Sequence, residues 1–304
     1  MDISAVIPTY DRPADLTECL QSLQGQFVPL DELIIVDDGN MKLTAQAIEE
    51  AGIDNVTHVE GPGEGLPASR NSGVEVASGD IVCFVDDDTI LPPNWSQELI
   101  DTYKTYGGVT GVGGLVVNYS PAEISKGNMN SIGYRVLTSV RLTFFYQKIG
   151  RISPIGLLYL PHIFTTAKER RVNALQGCNM SFRREIFDEY AFDEWYGSTG
   201  SSTCEELDFC ARITDDGNEL LYNSRAVALH KRSVTGEQRG IQPNYDNITN
   251  LTYFLLENFE KNHLNLFALT AAVLVFAALK RDKNYIVGVA RGVKEHKKMK
   301  GQRS

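Results

Sequence analysis

The first half of the chain alternates short apolar runs with stretches of helical periodicity. Five apolar runs predict β-strands, at residues 3–8, 33–36, 56–59, 80–85 and 109–117. Four segments between them have the residue spacing of helices, at 13–23, 42–51, 66–77 and 94–106. This alternation predicts an α/β fold, with a mostly parallel sheet that is covered by helices on both faces.

Each of the first four predicted strands ends in residues that pack poorly and bind ligands well. The sequences at these ends are PTYDRP, DDGN, GPGEGLPASRNSG and DDDT. Because the carboxyl ends of parallel strands share one edge of a sheet, and ligands bind at that edge, the four segments predict a single site.

Three adjacent carboxylates, Asp86, Asp87 and Asp88, follow the fourth strand. If strand geometry persists through them, Asp86 and Asp88 point to one side and Asp87 to the other, because side chains alternate along a strand. Two carboxylates at a strand end suit a hard divalent cation such as Mg²⁺ or Mn²⁺. Taken alone, the cluster fits a turn equally well.

Neighbouring segments supply groups for a nucleotide. Arg70 lies at the start of a predicted helix, where a guanidinium and backbone N–H groups suit a diphosphate, although a surface arginine would also fit. Asp37 and Asp38 offer acceptors for a base N–H or for ribose hydroxyls, although a turn before Gly39 would use them too. The combination predicts a nucleotide-diphosphate pocket. The chain has neither GxxxxGK[ST] nor GxGxxG, so these residues indicate neither a P-loop nor a dinucleotide site.

The succession VIPTYDRPADL, IIVDDGN, GLPASRNSG and CFVDDDT resembles the family 2 glycosyltransferases, which have the Rossmann-like GT-A fold. The resemblance covers roughly residues 1–235. It implies that Asp86 and Asp88 hold a divalent metal on the diphosphate of a nucleotide sugar, and that Asp87 faces the donor ribose or sugar. The remaining donor contacts that it implies are Arg70 for the diphosphate and, for base and ribose, Thr9, Asp11, Asp37 and Asp38. Asp11 stands where the family frequently has Asn, and it keeps an acceptor.

The segment CEELDFCARI resembles the acidic motif of the same family, which implies Glu206 as the general base and Asp208 as an orienting acid. Removal of the acceptor proton by one base, with direct displacement of the diphosphate, implies inversion at the anomeric carbon. The alternative is a helix whose first turn is acidic because of the helix dipole.

Two further segments carry candidates by resemblance. QGCNMSFRREIF resembles the segment that lines the donor-sugar and acceptor cleft, with Gly177, Asn179 and Arg183 as the polar candidates, or it is a strand that enters a helix. His230 falls where related enzymes have a third metal ligand or a diphosphate contact, although a structural histidine is the alternative.

Charge divides the chain into two parts. The net charge is −10, but residues 280–304 contain nine Lys/Arg and two acids, a net +7 that leaves −17 for the rest. An acidic body argues against nucleic-acid binding.

Cysteine usage and the start of the sequence bear on location. Five cysteines without a CxxC pair indicate reduced thiols. The residues from position 3 onward have the pattern of a strand and no basic stretch comes before them, which predicts no signal peptide and a cytoplasmic location.

Residues 264–279 are sixteen residues without charge, fewer than the roughly 20 that span a bilayer. A buried core helix, an interfacial anchor and a dimer contact are the possible interpretations. The adjacent basic tail favours peripheral attachment to the cytoplasmic face of the membrane.

We therefore expect one GT-A domain with a nucleotide-sugar half at 1–118 and an acceptor-binding, catalytic half at 119–240, followed by a C-terminal helical segment at 241–304. Between 120 and 174 the periodicity weakens, as in an acceptor-binding cover or a membrane-facing patch.

The expected activity is the metal-dependent transfer of a hexose-type sugar from a nucleotide diphosphate sugar, with inversion at the anomeric carbon. The expected acceptor is a hydroxyl of a lipid-linked (dolichyl or polyprenyl) glycan, in surface-glycan or N-glycosylation pathways. Alternatives are a polyprenyl-phosphate sugar synthase and a non-catalytic nucleotide-sugar-binding module. The sequence leaves the oligomeric state open.

Overall fold

The computed structural model describes residues 1–119, 169–200, 203–231, 243–258, 271 and 283–303. The strands in these ranges are β1 (Ile3–Thr9), β2 (Glu32–Asp37), β3 (Val56–Glu60), β4 (Ile81–Phe84), β5 (Thr89–Ile90), β6 (Gly111–Tyr119), β7 (Arg170–Val172), β8 (Met180–Arg183) and β9 (Leu220–Lys231). The α-helices are α1 (Pro13–Gln24), α2 (Met41–Ala51), α3 (Leu66–Val76), α4 (Trp95–Thr105), α5 (Glu205–Asp215), α6 (Pro243–Asn258) and α7 (Asn284–Arg303). Short 3₁₀ helices lie at Arg184–Asp188 and Glu194–Thr199.

The described strands form one sheet in the order β3, β2, β1, β4, β8, β6, β9, β5, with β7 also paired to β9. The strands β1 to β4 are parallel to one another, as predicted. Beyond β4 the sheet is mixed, because β8 runs antiparallel to both β4 and β6, while β6 and β9 are parallel. The predicted α/β fold is confirmed.

Local signals account for the agreement in the first half. Helix α1 begins at Pro13, whose fixed φ suits the first helical turn. The side chain of Asn40 caps α2 by accepting from the backbone N–H groups of its first turn, and Gly52 ends that helix in the left-handed conformation, with φ of 68°.

The sheet separates two apolar layers. On one face Ile3, Ala5 and Ile7 pack with residues of α1, α2 and α4. On the other face Val6 packs with residues of α3 and α5, and a Cβ on Gly73 of α3 would come 2.2 Å from a methyl of Val6. The helices therefore cover both faces, and a glycine is required where α3 crosses β1.

The predicted C-terminal helical segment is present as α6 and α7, which pack against each other. A Cβ on Gly292 would lie 2.6 Å from Cβ of Thr252, so this glycine allows the close approach of the two helices. Within the described ranges, every helix is too short or too polar to cross a bilayer. The apolar run 264–279 lies outside the described residues except for residue 271, and so does the weakly periodic stretch up to residue 168.

Candidate active site

The turn after β4 presents its carboxylates to two sides. Asp86 Oδ2 and Asp88 Oδ1 lie 4.0 and 3.1 Å from Nε2 of His230. Asp87 accepts a hydrogen bond of 2.8 Å from the Thr9 hydroxyl. Strand β4 ends at Phe84 and Asp87 and Asp88 lie in the turn that follows, so the alternation expected from strand geometry does not carry through the three carboxylates.

Strand pairing places His230 beside this turn. On β9, His230 is in register with Thr89 of β5 and with Asn118 of β6. Its Nδ1 lies 2.9 Å from Oδ1 of Asn118. When that oxygen accepts the Nδ1 hydrogen, the neutral ring directs the lone pair of Nε2 at Asp86 and Asp88. Each of the two carboxylates thus lies within 4.0 Å of this nitrogen, and carboxylate and imidazole groups are donors suited to a divalent cation.

Arg12 neutralises part of the negative charge of Asp87 and Asp88. Its Nη1 lies 3.1 Å from Oδ1 of Asp87 and 3.3 Å from Oδ2 of Asp88. Burial raises the pKa of Asp87 to about 7, although Arg12 and the Thr9 hydrogen bond act to lower it. Sequence reasoning missed Arg12, which stands in the same PTYDRP segment as Thr9.

Arg70 is buried and not at the surface, with 1% of its area exposed. It donates through Nη1 to Glu205 and through Nη2, at 3.4 Å, to Asp86. Its guanidinium also lies 5.6 Å from the ring centre of Phe192. Arg70 therefore ties the carboxylate turn to the first residue of α5. Glu205 is a second residue that sequence reasoning missed, although it stands directly before Glu206.

Gly177 lies against the same guanidinium. A Cβ at this position would come 2.7 Å from Nη2 of Arg70, so any larger residue would displace the arginine. Cys178 follows, and its sulfur belongs to a group with a carboxylate oxygen of Asp86 and a ring nitrogen of His230, all within 4.8 Å of one another. Sequence reasoning named Gly177 and missed Cys178.

The first turn of α5 contains two acids with different surroundings. Burial raises the pKa of Glu206 well above its ordinary range, and the adjacent Glu205 raises it further. Asp208 is buried and accepts hydrogen bonds of 2.8 Å from both Arg212 and Asn258. Asp208 therefore joins α5 to α6, while the surroundings of Glu206 favour its protonated form.

A cavity opens at the carboxyl ends of β1 and β2. Asp11, at a positive φ of 52°, accepts from the backbone N–H of Asn40 at 2.9 Å. Asp38 accepts from the backbone N–H of Gly63 at 2.9 Å and from the Ser69 hydroxyl at 2.6 Å. The cavity is lined by Tyr10, Asp11, Asp38, Gly39, Asn40, Met41 and Lys42.

Asp37 is not among the lining residues of this cavity. It is 1% exposed and accepts from the backbone N–H of Gly39 at 2.8 Å, the turn contact that the sequence left open as the alternative. Its second oxygen lies 3.3 Å from Nε2 of His58. We infer that Asp37 shapes the turn between β2 and α2.

The structure does not bring Asn179 and Arg183 into the cleft. Asn179 is 1% exposed and is held by Trp95 Nε1 at 2.8 Å and by the carbonyl of Ala226 at 2.9 Å. Arg183 pairs in register with Ile81 at the amino end of β4, the edge opposite the carboxylates. It donates to the backbone carbonyl of Val109 at 2.8 Å. Both side chains stabilise the sheet.

Comparisons with known proteins identify the family of the chain. The sequence model described as "Glycosyl transferase family 2" matches residues 4–191. The chain belongs to glycosyltransferase family 2. The resemblance seen in the sequence is thereby confirmed, and the chain is a glycosyltransferase.

Several members of the family are similar to this glycosyltransferase. A glucosyl-dolichyl phosphate glucuronosyltransferase of Haloferax volcanii is 28% identical over 239 residues, which are 76% of this chain and 69% of that protein. The putative glycosyltransferase EpsH of Bacillus subtilis is 34% identical over 122 residues, 39% of this chain and 33% of that protein. The chain thus spans most of the first relative and a third of the second.

Among solved structures, a crystal structure of GalNAc-T7 with UDP, GalNAc and Mn²⁺ superposes with a TM-score of 0.62. The match has 18% sequence identity and covers 90% of this chain and 51% of that one. The likeness confirms the GT-A fold of the family 2 glycosyltransferase.

Proposed function

We propose that this glycosyltransferase moves a hexose-type sugar from a nucleotide diphosphate sugar to a hydroxyl acceptor, with inversion and with Mg²⁺ or Mn²⁺ bound. The observation that carries the proposal is the convergence of Asp86, Asp88 and His230 on one side of a turn that Arg70 connects to Glu205. The carboxylate turn, His230 and the acidic start of α5 thus meet at one edge of the sheet.

The side chains of Asp86, Asp88 and His230 would hold the metal. When bound, it would offset the negative charge that develops on the diphosphate as it leaves. Arg12 and Arg70 contact Asp88 and Asp86, and a bound cation would add positive charge beside Nε2 of His230.

The nucleoside would occupy the cavity at the ends of β1 and β2. Asp11 and Asp38 supply acceptors there for a base N–H. Thr9 and Asp37 support this region through Asp87 and through the β2 turn. Because Arg70 is buried, it contributes positive charge near the diphosphate while it fixes the positions of Asp86 and Glu205.

Glu206 would act as the general base. The acceptor hydroxyl gives its proton to the Glu206 carboxylate while its oxygen forms a bond to the anomeric carbon. The bond between that carbon and the phosphate oxygen breaks, and the nucleoside diphosphate leaves with the electron pair. Attack opposite the leaving group inverts the configuration at the anomeric carbon.

The test is Glu206→Gln, an isosteric change that cannot accept the proton. Transfer should fall by about 10²–10⁴-fold, the usual contribution of a general base. Binding of the nucleoside diphosphate should persist, and the exposed Glu185→Gln variant should keep full activity. Near-normal turnover by Glu206→Gln would refute this role.

We further infer that the acceptor is a lipid-linked glycan at the cytoplasmic face of the membrane. The support is the relative named as acting on glucosyl-dolichyl phosphate, together with the outer face of α7. That face exposes Ile286 and Val287 toward the start of the helix and Lys294, Lys297 and Lys298 toward its end. Apolar and basic residues along one helix face suit an anionic membrane surface.

Acceptor choice can be measured directly. The purified enzyme should transfer sugar from a panel of nucleotide sugars to a dolichyl- or polyprenyl-linked saccharide and not to the bare lipid phosphate. Transfer to bare lipid phosphate would indicate a synthase instead. Failure of every lipid-linked acceptor, together with transfer to a soluble saccharide, would refute the membrane assignment.

A further inference from the structure

A thiol completes the group of side chains around Asp86 and His230. The sulfur of Cys178, a carboxylate oxygen of Asp86 and a ring nitrogen of His230 lie within 4.8 Å of one another. Two bonds to one cation, of about 2.3 Å to sulfur and about 2.1 Å to nitrogen, span at most about 4.4 Å. The separations of the three atoms therefore exceed the span that one cation can bridge by about 0.4 Å at most.

The backbone on both sides of Cys178 is held in place. Gly177 packs against the guanidinium of Arg70. On the other side, Asn179 is fixed by Trp95 and Ala226, and its backbone N–H donates to the carbonyl of Gln176 at 2.9 Å. Cys178 itself is 6% exposed, so its sulfur is kept close to the two candidate ligands.

We propose that Cys178 is a further ligand for thiophilic divalent cations at this site and makes the site selective for them. This inference rests on the metal site of the proposed function. A thiolate favours Zn²⁺, Co²⁺ and Cd²⁺, whereas Mg²⁺ prefers oxygen ligands. The site therefore binds these softer cations more tightly than Mg²⁺. On binding, the sulfur becomes a thiolate and its proton passes to water.

The sulfur also distinguishes this site from one made only of oxygens and nitrogen. A thiophilic cation held by Cys178, Asp86 and His230 has sulfur, oxygen and nitrogen ligands together, the mixed set that Zn²⁺ accepts in proteins. Zn²⁺ and Cd²⁺ should consequently compete with Mg²⁺ or Mn²⁺ for the same position and inhibit transfer when that position requires a labile, oxygen-rich ion.

Absorption spectroscopy of the full chain with Co²⁺ tests the sulfur ligand without reference to activity. The wild-type protein should develop a sulfur-to-cobalt charge-transfer band, and Cys178→Ser should lack it. Calorimetry should show that the affinity of Cys178→Ser for Cd²⁺ is lower by about 10-fold or more. Removal of a group that only supports a metal ligand already costs about 10-fold, and removal of a ligand should cost at least as much. The affinity of this variant for Mg²⁺ should not change.

Cys83→Ala is the matched control, because Cys83 is a buried thiol on β4 that is not part of the group. It should keep the band, and equal melting temperatures for wild type and Cys178→Ser will show that the latter is folded. Cobalt binding without the band, or a band that survives in Cys178→Ser, overturns the proposal for Cys178 and leaves the metal site standing. If the wild type binds no divalent cation, with or without a nucleoside diphosphate, both proposals are overturned.

Discussion

The guanidinium of Arg70 donates to the carboxylate of Glu205, 135 residues further along the chain, and both side chains are buried. The same guanidinium reaches Asp86 at 3.4 Å. One cation thus joins the carboxylate turn to the helix that carries Glu206. Because a buried charge without a partner is costly, the contact contributes to stability as well as to the geometry of the site.

Replacement of Arg70 should therefore lower the denaturant concentration at which the protein unfolds. Arg70→Met leaves Glu205 buried without its cation, and we expect the free energy of unfolding to fall by about 3–5 kcal/mol. Urea unfolding followed by circular dichroism measures the loss. The control is Arg171→Met, which removes an exposed pair with Glu219 at 3.0 Å and should cost less than about 1 kcal/mol. Equal small losses in both variants would contradict a structural role for Arg70.

The pH dependence of transfer should follow Glu206. Burial and the neighbouring Glu205 raise the pKa of Glu206, so the base form appears only at a pH above the ordinary range of a glutamate, which is about 4.3. We expect kcat/KM to rise with pH through this elevated value. Glu205→Gln removes the neighbouring charge and should move the acidic limb of the profile of kcat/KM against pH to lower pH. Glu185→Gln should leave this limb in place. A limb that does not move in Glu205→Gln would exclude Glu206 as its origin.

The raised pKa of Glu206 also makes stability depend on pH. Stability should fall as the pH rises, whereas activity should increase. A carboxyl group whose pKa is raised by folding binds its proton more tightly in the folded state. The contribution of Glu206 to stability is therefore complete below about pH 4.3 and is lost as the pH rises through its folded-state pKa. In Glu206→Gln, the free energy of unfolding should decline less over this range. An unchanged slope would argue against a raised pKa.

Local sequence patterns predicted the first four strands, the helices between them and the edge at which the site lies. They could not predict the contact of Arg70 with Glu205, because tertiary packing alone brings such distant residues together. Arg183 shows the opposite error. It shares a segment with Gly177, but β8 runs away from the site at about 3.3 Å per residue, so residues six positions apart lie at different edges of the sheet. Arg12 and Cys178 stand in the PTYDRP and QGCNMSFRREIF segments, but only the folded chain shows that Arg12 lies beside Asp87 and Asp88 and that Cys178 lies beside Asp86.

The contact of Asn118 with His230 should set metal affinity. Asn118→Ala removes the acceptor that lies 2.9 Å from Nδ1 and so frees the orientation of the ring. Loss of such a supporting group lowers metal affinity by about 10–100-fold. Calorimetric titration with Mn²⁺ measures the change, and Asn218→Ala provides the control. Asn218 accepts a hydrogen bond from the Thr110 hydroxyl and stands two residues before Leu220, at the end of β9 that is far from His230. Equal Mn²⁺ affinity in both variants would show that Asn118 does not orient the histidine.

The lysines on the outer face of α7 should set membrane affinity. Lys294, Lys297 and Lys298 are exposed, and a lysine near an anionic leaflet contributes about 1 kcal/mol. The triple change to Gln should therefore weaken binding to phosphatidylserine-containing vesicles by roughly two orders of magnitude. Because the attraction is electrostatic, wild-type binding should also fall as salt is raised. Co-sedimentation measures both effects, with phosphatidylcholine vesicles as the control surface and the circular dichroism spectrum of the triple variant as a check on its fold. If the variant binds anionic vesicles as tightly as the wild type, α7 is not the membrane contact.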